Sequence, residues 1–233
     1  FLLRVIAALH HKKFLFNVEP IYCACKQTVE FREMLLRLYD KNGKLMPASD
    51  VFAAVCENNL SADVGLYLLY YQLRFRHILD GTVSVNVNTP LLSDPKWRQK
   101  FWRLLSAYAA QGQADKVILE VLEREPLPIT PELITFMQNV KALGYRWALD
   151  DFGGGFHTFD HIHHLPISYV KLCAISSKRL AKTPTLSPFE RDVVNACKKH
   201  SLIMVAEAIR THEQRMNLYK WHGIRLSQTF DMP

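Results

Sequence analysis

Glu33, Asn86, Glu120, Asp150, Asp151, Lys171, Glu207 and Gln228 are residues of the types that hold hard cations or carry protons, and they recur through most of the chain. Each falls at or near the C-terminal end of a short apolar run. Oxygen donors from Glu33, Asn86, Glu120 and Asp150, with Asp151 and Glu207 beside them, suit hard divalent ions such as Mg²⁺ or Mn²⁺. Taken singly, every one of them has an ordinary reading as a helix cap, a turn former or a surface ion pair. Carboxylates scattered at random fall on helix surfaces and loops. This set sits at strand ends.

The elements that must position them follow from hydrophobic periodicity and punctuation. Strands are predicted at Leu15–Tyr22, Thr28–Leu35, Val83–Asn88, Val117–Leu122, Arg146–Asp150, Tyr169–Leu172, Ile203–Glu207 and Ile224–Gln228. Between them lie helical patterns at Ala48–Asn58, Ala62–Leu79, Pro95–Gln111, Pro131–Leu143, Pro188–His200 and Glu213–Trp221. Ser49-Asp50 and Thr130-Pro131-Glu132 read as helix starts, and Gly144 as a C-terminal stop. Strands alternating with helices in this number predict a closed α/β barrel of the TIM (β/α)8 type, with a doubly wound sheet as the alternative. In such a barrel the C-terminal strand ends converge on one mouth, where catalytic groups gather.

The chain has 233 residues, 49% of them hydrophobic and 22% charged, and no low-complexity tract divides it, so one domain is expected over 1–233. The net charge of +7 is scattered, with no basic stripe interleaved with aromatics, which argues against a nucleic-acid polymer as partner. No apolar run approaches the length of a bilayer crossing, so no membrane contact is expected of this segment. The N-terminal FLLRVIAALHHKKF is interrupted by Arg4 and lacks a cleavage site, unlike a signal peptide. Five cysteines without a CxxC pair point to a reducing, cytoplasmic setting. Cys23 and Cys25 alternate along a predicted strand and read as core or surface thiols rather than a metal pair. His157, His161 and His164, with His163 beside them, have helical spacing. They read as a solvated helix face, with a Zn²⁺ site as the alternative.

The segment Trp147-Ala148-Leu149-Asp150-Asp151-Phe152-Gly153-Gly154-Gly155-Phe156 resembles the DDFGTGYS segment of EAL domains. These are bacterial cyclic-di-GMP phosphodiesterases or receptors built on a modified TIM barrel. Glu33-Met34-Leu35 stands where the family has its naming tripeptide. Pro20-Ile21 matches its opening strand, and Gly43, Pro47 and Phe52 match the loop and helix that follow. Ser84-Val85-Asn86-Val87, Leu119-Glu120-Val121-Leu122-Glu123, Val170-Lys171-Leu172 and Val205-Ala206-Glu207, with Thr211 and Gln214 after it, match four more segments in order, and Gln228 sits where a QG pair begins.

The resemblance implies a division of roles. Glu33, Asn86, Glu120 and Asp150 would hold a first Mg²⁺ or Mn²⁺, and Asp150 with Asp151 a second. Glu207 would serve as general base or metal-water partner, Lys171 would neutralise charge on the phosphate, and Glu123 would brace the loop after Asp151. Arg37 stands at the spacing of the phosphate-binding Arg, with Gln228 and Glu19 near the ligand. The departures cluster around the second ion. Cys173 replaces an Asp with a soft thiol, which is a poor Mg²⁺ ligand, so that site is expected to bind weakly or not at all. Ala208 replaces a Gly, Arg210 a Glu, Glu19 a Gln and Thr229 a Gly. Gly154 and Phe156 replace Thr and Tyr in the loop, and the tail from Gln228 to Pro233 is shorter than the family's.

Three functions stay open at this point: a phosphodiesterase that opens cyclic-di-GMP to linear pGpG, a receptor that binds it without cutting, and a protein-interaction module. The resemblance also implies a homodimer, and an N-terminal sensor or cyclase-like domain in a longer protein. Such a protein could itself be membrane-anchored with this domain in the cytoplasm.

Overall fold

The computed structural model describes residues 1–229. Its strands are β1 (Phe14–Cys23), β2 (Thr28–Tyr39), β3 (Leu45–Met46), β4 (Val83–Val87), β5 (Val117–Val121), β6 (Arg146–Phe152), β7 (Tyr169–Leu172), β8 (Ile203–Ala206) and β9 (Leu226–Gln228). Hydrogen-bonded neighbours run β1, β2, β4, β5, β6, β7, β8, β9 and back to β1, which closes an eight-stranded barrel, while β3 pairs only with the end of β2. β1 is antiparallel to both its neighbours, and the remaining barrel pairings are parallel. The barrel expected from the alternation of elements is therefore the observed fold, and the doubly wound sheet is not.

The helices are α1 (Leu2–His10), α2 (Ala48–Glu57), α3 (Ser61–Arg76), α4 (Pro90–Ser93), α5 (Pro95–Ala109), α6 (Pro131–Ala142), α7 (Phe159–His164), α8 (Ala174–Leu180), α9 (Pro188–Lys199) and α10 (His212–His222). Local chemistry sets several boundaries. Ser187 and Glu190 form a capping box at α9 with Pro188 in the first turn, and Thr211 and Gln214 form one at α10. Thr130 accepts the Leu133 N–H at the start of α6, as its sequence predicts. Ser49 and Asp50 do not cap α2, because they lie inside its first turn and Pro47 holds the cap position. β2 continues to Tyr39 rather than ending at Leu35, because β1 pairs with it as far as Phe14 opposite Leu38.

Successive side chains on a strand face opposite ways, so each barrel strand packs one set outward and one inward. Val85, Leu119, Trp147, Leu149, Val170 and Leu172 face out into the layer beneath the helices. Ile21, Phe31, Ile118, Tyr169, Val205 and Leu226 meet inside and plug the barrel floor. Among the described residues no helix is long and apolar enough to cross a membrane. The part of the Gln228–Pro233 tail beyond Thr229 lies outside the described residues.

Candidate functional site

Two residues toward the mouth from the apolar plug, the inward positions turn polar. On β5, Glu120 follows Ile118; on β7, Lys171 follows Tyr169; just past β8, Glu207 follows Val205; on β9, Gln228 follows Leu226. β2 gives Glu33 after Phe31, β6 gives Asp150 after Ala148, and β4 gives Asn86 after Ser84. β1 runs the other way, so its polar member, Glu19, precedes Ile21 and stands opposite Glu33 in register. The period of two brings every one of these side chains to one ring, a consequence of closure rather than of any local motif.

The centre of the ring is the ammonium of Lys171. Its Nζ lies 3.0 Å from Glu33 Oε2, 3.0 Å from Glu120 Oε2, 2.7 Å from Asp150 Oδ1 and 2.9 Å from Glu207 Oε1. Burial acts against a charged lysine, but these four carboxyls hold its pKa well above the ordinary value. The acids respond unequally. Burial pushes Glu120 up to about 8, with Glu33 adding to the shift and Lys171 opposing it. Burial likewise raises Glu207 to about 9 against the pull of Lys171. At Asp150 burial also acts upward, but Lys171 and a hydrogen bond with Glu207 outweigh it and hold the group below its usual range. One cation cannot balance four carboxylates, and the raised pKa values of Glu120 and Glu207 favour protons there, which would leave Glu33 and Asp150 as two anions on one ammonium.

Arg37 lies at the rim, half-buried, and its Nη2 is 3.3 Å from Glu19 Oε1. Gln228 Nε2 donates to Glu19 Oε2 at 3.0 Å and to Glu33 Oε2 at 2.8 Å. Burial, then Glu33, raises the pKa of Glu19, while Gln228 and Arg37 lower it. The three residues expected near a ligand phosphate are therefore brought together, but the carboxylate occupies the guanidinium.

The adjacent aspartates sit on a bulge. Pairing of β6 with β7 slips between Leu149 and Phe152, and Asp151 has φ +52°. The extra residue sends Asp150 into the ring and leaves Asp151 exposed at a neighbouring cavity of about 290 Å³, lined also by Glu123, Gly154 and Cys173. Glu123 makes no contact with Lys171; its buried carboxylate accepts the backbone N–H groups of Gly154 and His157 and so braces the loop after Asp151. Gly155 permits this approach, since a Cβ there would stand 3.0 Å from the Glu123 carbonyl oxygen. Cys173 is buried, with Sγ 3.7 Å from Ser176 Oγ. A second cavity of about 160 Å³ reaches from Arg37 to Asn86 and Asp150. A cleft of about 560 Å³ between α1 and the turn after β2 holds none of the ring residues.

The donor set fits a divalent cation. Asn86 Oδ1 and Glu120 Oε1 are buried without a hydrogen-bond partner, and the acids around them are hard oxygen donors in anionic surplus. Among the described residues no three Asp, Glu, His or Cys side chains group as a cation cage by themselves; their oxygens converge on the ammonium instead. For Cys173 the fit fails on chemistry, because a thiol two residues after Lys171 offers soft sulfur where Mg²⁺ needs oxygen.

Two features escape the sequence reading. Arg124 lines both mouth cavities and stacks over Phe52, with its guanidinium carbon 4.1 Å from the ring centroid. Its position directly after Glu123 at a strand end is the one signal that could have found it. The solvated histidine face is not observed. His157 and His161 are buried, and His161 serves as the third residue of the α7 capping box and faces the Leu127 carbonyl. His157 Nδ1 lies 3.1 Å from the Asp150 carbonyl oxygen, and only His163 and His164 are exposed. Cys23 and Cys25 do not alternate along one strand, because β1 ends at Cys23 and Cys25 lies in the turn after it.

The family model described as EAL domain matches residues 4–223. The cyclic di-GMP phosphodiesterase PdeL of Escherichia coli K12 is 25% identical over 215 residues, covering 89% of this chain and 58% of PdeL. The probable cyclic di-GMP phosphodiesterase PdeA of the same organism is 27% identical over 219 residues, covering 91% of this chain and 29% of PdeA. The FimX EAL domain of Xanthomonas citri, solved with c-diGMP, superposes with a TM-score of 0.77 at 19% identity over 98% of this chain and 91% of that one. The chain thus spans 58% of the length of PdeL and 29% of that of PdeA.

Proposed function

The chain belongs to the EAL-domain family, and from that premise we propose that it binds cyclic-di-GMP at the barrel mouth and hydrolyses it, with Mg²⁺ or Mn²⁺, to linear pGpG. The observation that carries the reading is the ring of Glu33, Asn86, Glu120, Asp150 and Glu207 around Lys171, each delivered by a separate strand or strand end. Glu33, Asn86, Glu120 and Asp150 would hold the ion, with Asp151 beside them. When bound, it polarises the phosphodiester and lowers the pKa of the attacking water.

The chain's own residues do the rest. Lys171 faces the negative charge that grows on phosphate oxygen, with its ammonium already fixed and dehydrated. Glu207, whose raised pKa favours a proton in the metal-free ring, would act as base for the incoming water only after a bound ion has displaced that proton. Arg37 pairs with a ligand phosphate once Glu19 releases it, and Gln228 orients Glu33 and Glu19. Glu123 acts at a distance by holding the loop that carries Asp151. Water adds at phosphorus, the bond to the 3′ oxygen breaks, and that oxygen leaves as a hydroxyl.

A second reading, a receptor that binds without cutting, is favoured by Cys173 at the second-ion position and by the Glu19–Arg37 pair. Titrating cyclic-di-GMP into the protein by calorimetry, with and without Mn²⁺, and then chromatographing the mixture separates the two. Heat of binding and linear product above a Glu33→Ala control support the enzyme, and binding with intact nucleotide supports the receptor. No binding at tens of micromolar overturns both and leaves a protein-interaction module. By the same family reasoning we assign the domain to a cytoplasmic, homodimeric signalling protein with a sensor or cyclase-like domain before it.

A further inference from the structure

At the opposite end of β1 from Glu19, two sulfurs meet beneath the barrel floor. Cys23 is the last residue of β1, paired with Thr28 of β2 and Leu226 of β9, and its side chain is buried in the apolar plug. The turn that follows is tight: the Ala24 N–H donates to the Arg225 carbonyl, the Gln27 N–H donates to the Cys23 carbonyl, and Gln27 has φ +54°. It folds the exposed Cys25 back so that its Sγ lies 3.0 Å from Cys23 Sγ, inside the contact distance of two thiols. Neither sulfur has a role in the mouth chemistry, and no other pair among the five cysteines is brought together this way.

We propose that Cys23 and Cys25 form a reversible dithiol oxidation site that closes to a disulfide when a hydroperoxide reaches Cys25. Exposure fixes the order of events. Cys25 Sγ gives its electron pair to the hydroperoxide, the O–O bond breaks, and Cys25 becomes a sulfenic acid with release of water or an alcohol. Cys23 Sγ then attacks Cys25 Sγ, the S–O bond breaks, and the departing hydroxide leaves as water with the proton from Cys23. Two thiols lose two electrons, and one hydroperoxide is reduced. The shared hydrogen bond favours the second step rather than the first. The bond to Cys23, then burial, raises the Cys25 pKa, so exposure alone assigns it the first step. At Cys23 burial acts upward, but the Cys25 hydrogen bond and the backbone N–H groups of Lys26 and Cys25 outweigh it and bring the attacking thiol below its ordinary value. So short a loop adds little stability to the bridge, and a thiol reductant reopens it. An odd number of cysteines argues against a structural disulfide framework but not against a transient bridge of this kind.

Trypsin releases both sulfurs on one peptide, residues 14–26, with no other cysteine. The chain is treated with hydrogen peroxide at a dose that oxidises the exposed Cys56, then alkylated in denaturant, digested and weighed. The expected result is a 14–26 peptide carrying no alkyl group and lighter than the dithiol form by two hydrogens, restored to double alkylation by dithiothreitol. In the Cys25→Ser variant, which changes an exposed turn residue, Cys23 is expected to remain alkylated at the same dose. Double alkylation of wild-type 14–26 after Cys56 has reacted overturns the proposal, as does a Cys25 sulfinic acid beside an alkylated Cys23.

Discussion

The floor and the mouth of this barrel are built by the same strands, two residues apart on the same inward face, yet they obey opposite rules. Floor residues such as Ile118, Tyr169 and Val205 fill the interior with apolar volume and ask for nothing else. Mouth residues place four carboxyls around one ammonium, an arrangement that stability alone does not favour, because desolvating so many like charges is costly. A polar layer stacked on an apolar one therefore separates what the fold needs from what the site needs. Its negative surplus is the feature a divalent cation would relieve.

The largest expected effect comes from removing the cation already there. Lys171→Met leaves the carboxyls facing one another and is expected to lower unfolding stability by about 3–5 kcal/mol, measured by urea denaturation, and to abolish turnover. A loss under about 1 kcal/mol would show that the acids neutralise themselves by taking up protons, with no need of the lysine.

The second expectation concerns pH. Glu120 and Glu207, at about 8 and about 9 against an ordinary 4.5, hold protons in the native state that the unfolded chain has lost, so stability falls as pH rises through those values. His157, which burial holds at about 4 against 6.5, works the other way and loses stability only as pH falls below 6.5. Lys171, raised from 10.5, adds its own loss only above that value. Below about pH 9, where the buried Cys197 and tyrosines do not yet titrate, the metal-free protein should therefore decline most steeply between about pH 6.5 and 8, followed by its melting temperature. A floor variant, Ile118→Val, should shift the whole curve down by about 1 kcal/mol without changing its slope. Equal slopes in Lys171→Met and wild type would erase the distinction between the two layers.

Smaller effects sharpen the rim. Glu19→Gln frees Arg37 and is expected to tighten cyclic-di-GMP binding about threefold to fivefold, the scale of one partly exposed ion pair; unchanged affinity by calorimetry would mean that Arg37 is not on the phosphate. Smallest is Ala208, buried at φ +55° directly after Glu207. Relieving this left-handed backbone with Ala208→Gly should raise stability by about 0.5–1 kcal/mol, read from the urea midpoint.

Much of this was legible because the strands are short apolar runs that end in polar residues, as at Asn86, Glu120, Lys171 and Gln228. Which way each of those side chains faces was not legible in the runs, since Val117-Ile118-Leu119-Glu120 shows no alternation. The bulge at Asp150–Asp151 was not legible either, because a slip in register leaves no mark on composition. His157 and His161 look like a polar face by residue type, but each imidazole finds a carbonyl partner and so can be buried. Short helices such as α8 lack the length to show a period. The place of Lys171 at the centre of four acids is a product of closure, joining residues from Glu33 to Glu207 that no local pattern connects.

The most direct test of the account is a Mn²⁺ titration at pH 7 by calorimetry in two buffers of different ionisation enthalpy, which counts protons as well as ions. If the ring is a cation site whose surplus charge is reduced by protons on Glu120 and Glu207, each bound ion should release about two protons. Glu120→Gln should remove one of them and weaken the site. Binding without proton release, or no binding that depends on Glu33 and Asp150, would contradict the claim that the mouth's surplus charge exists to take up a metal.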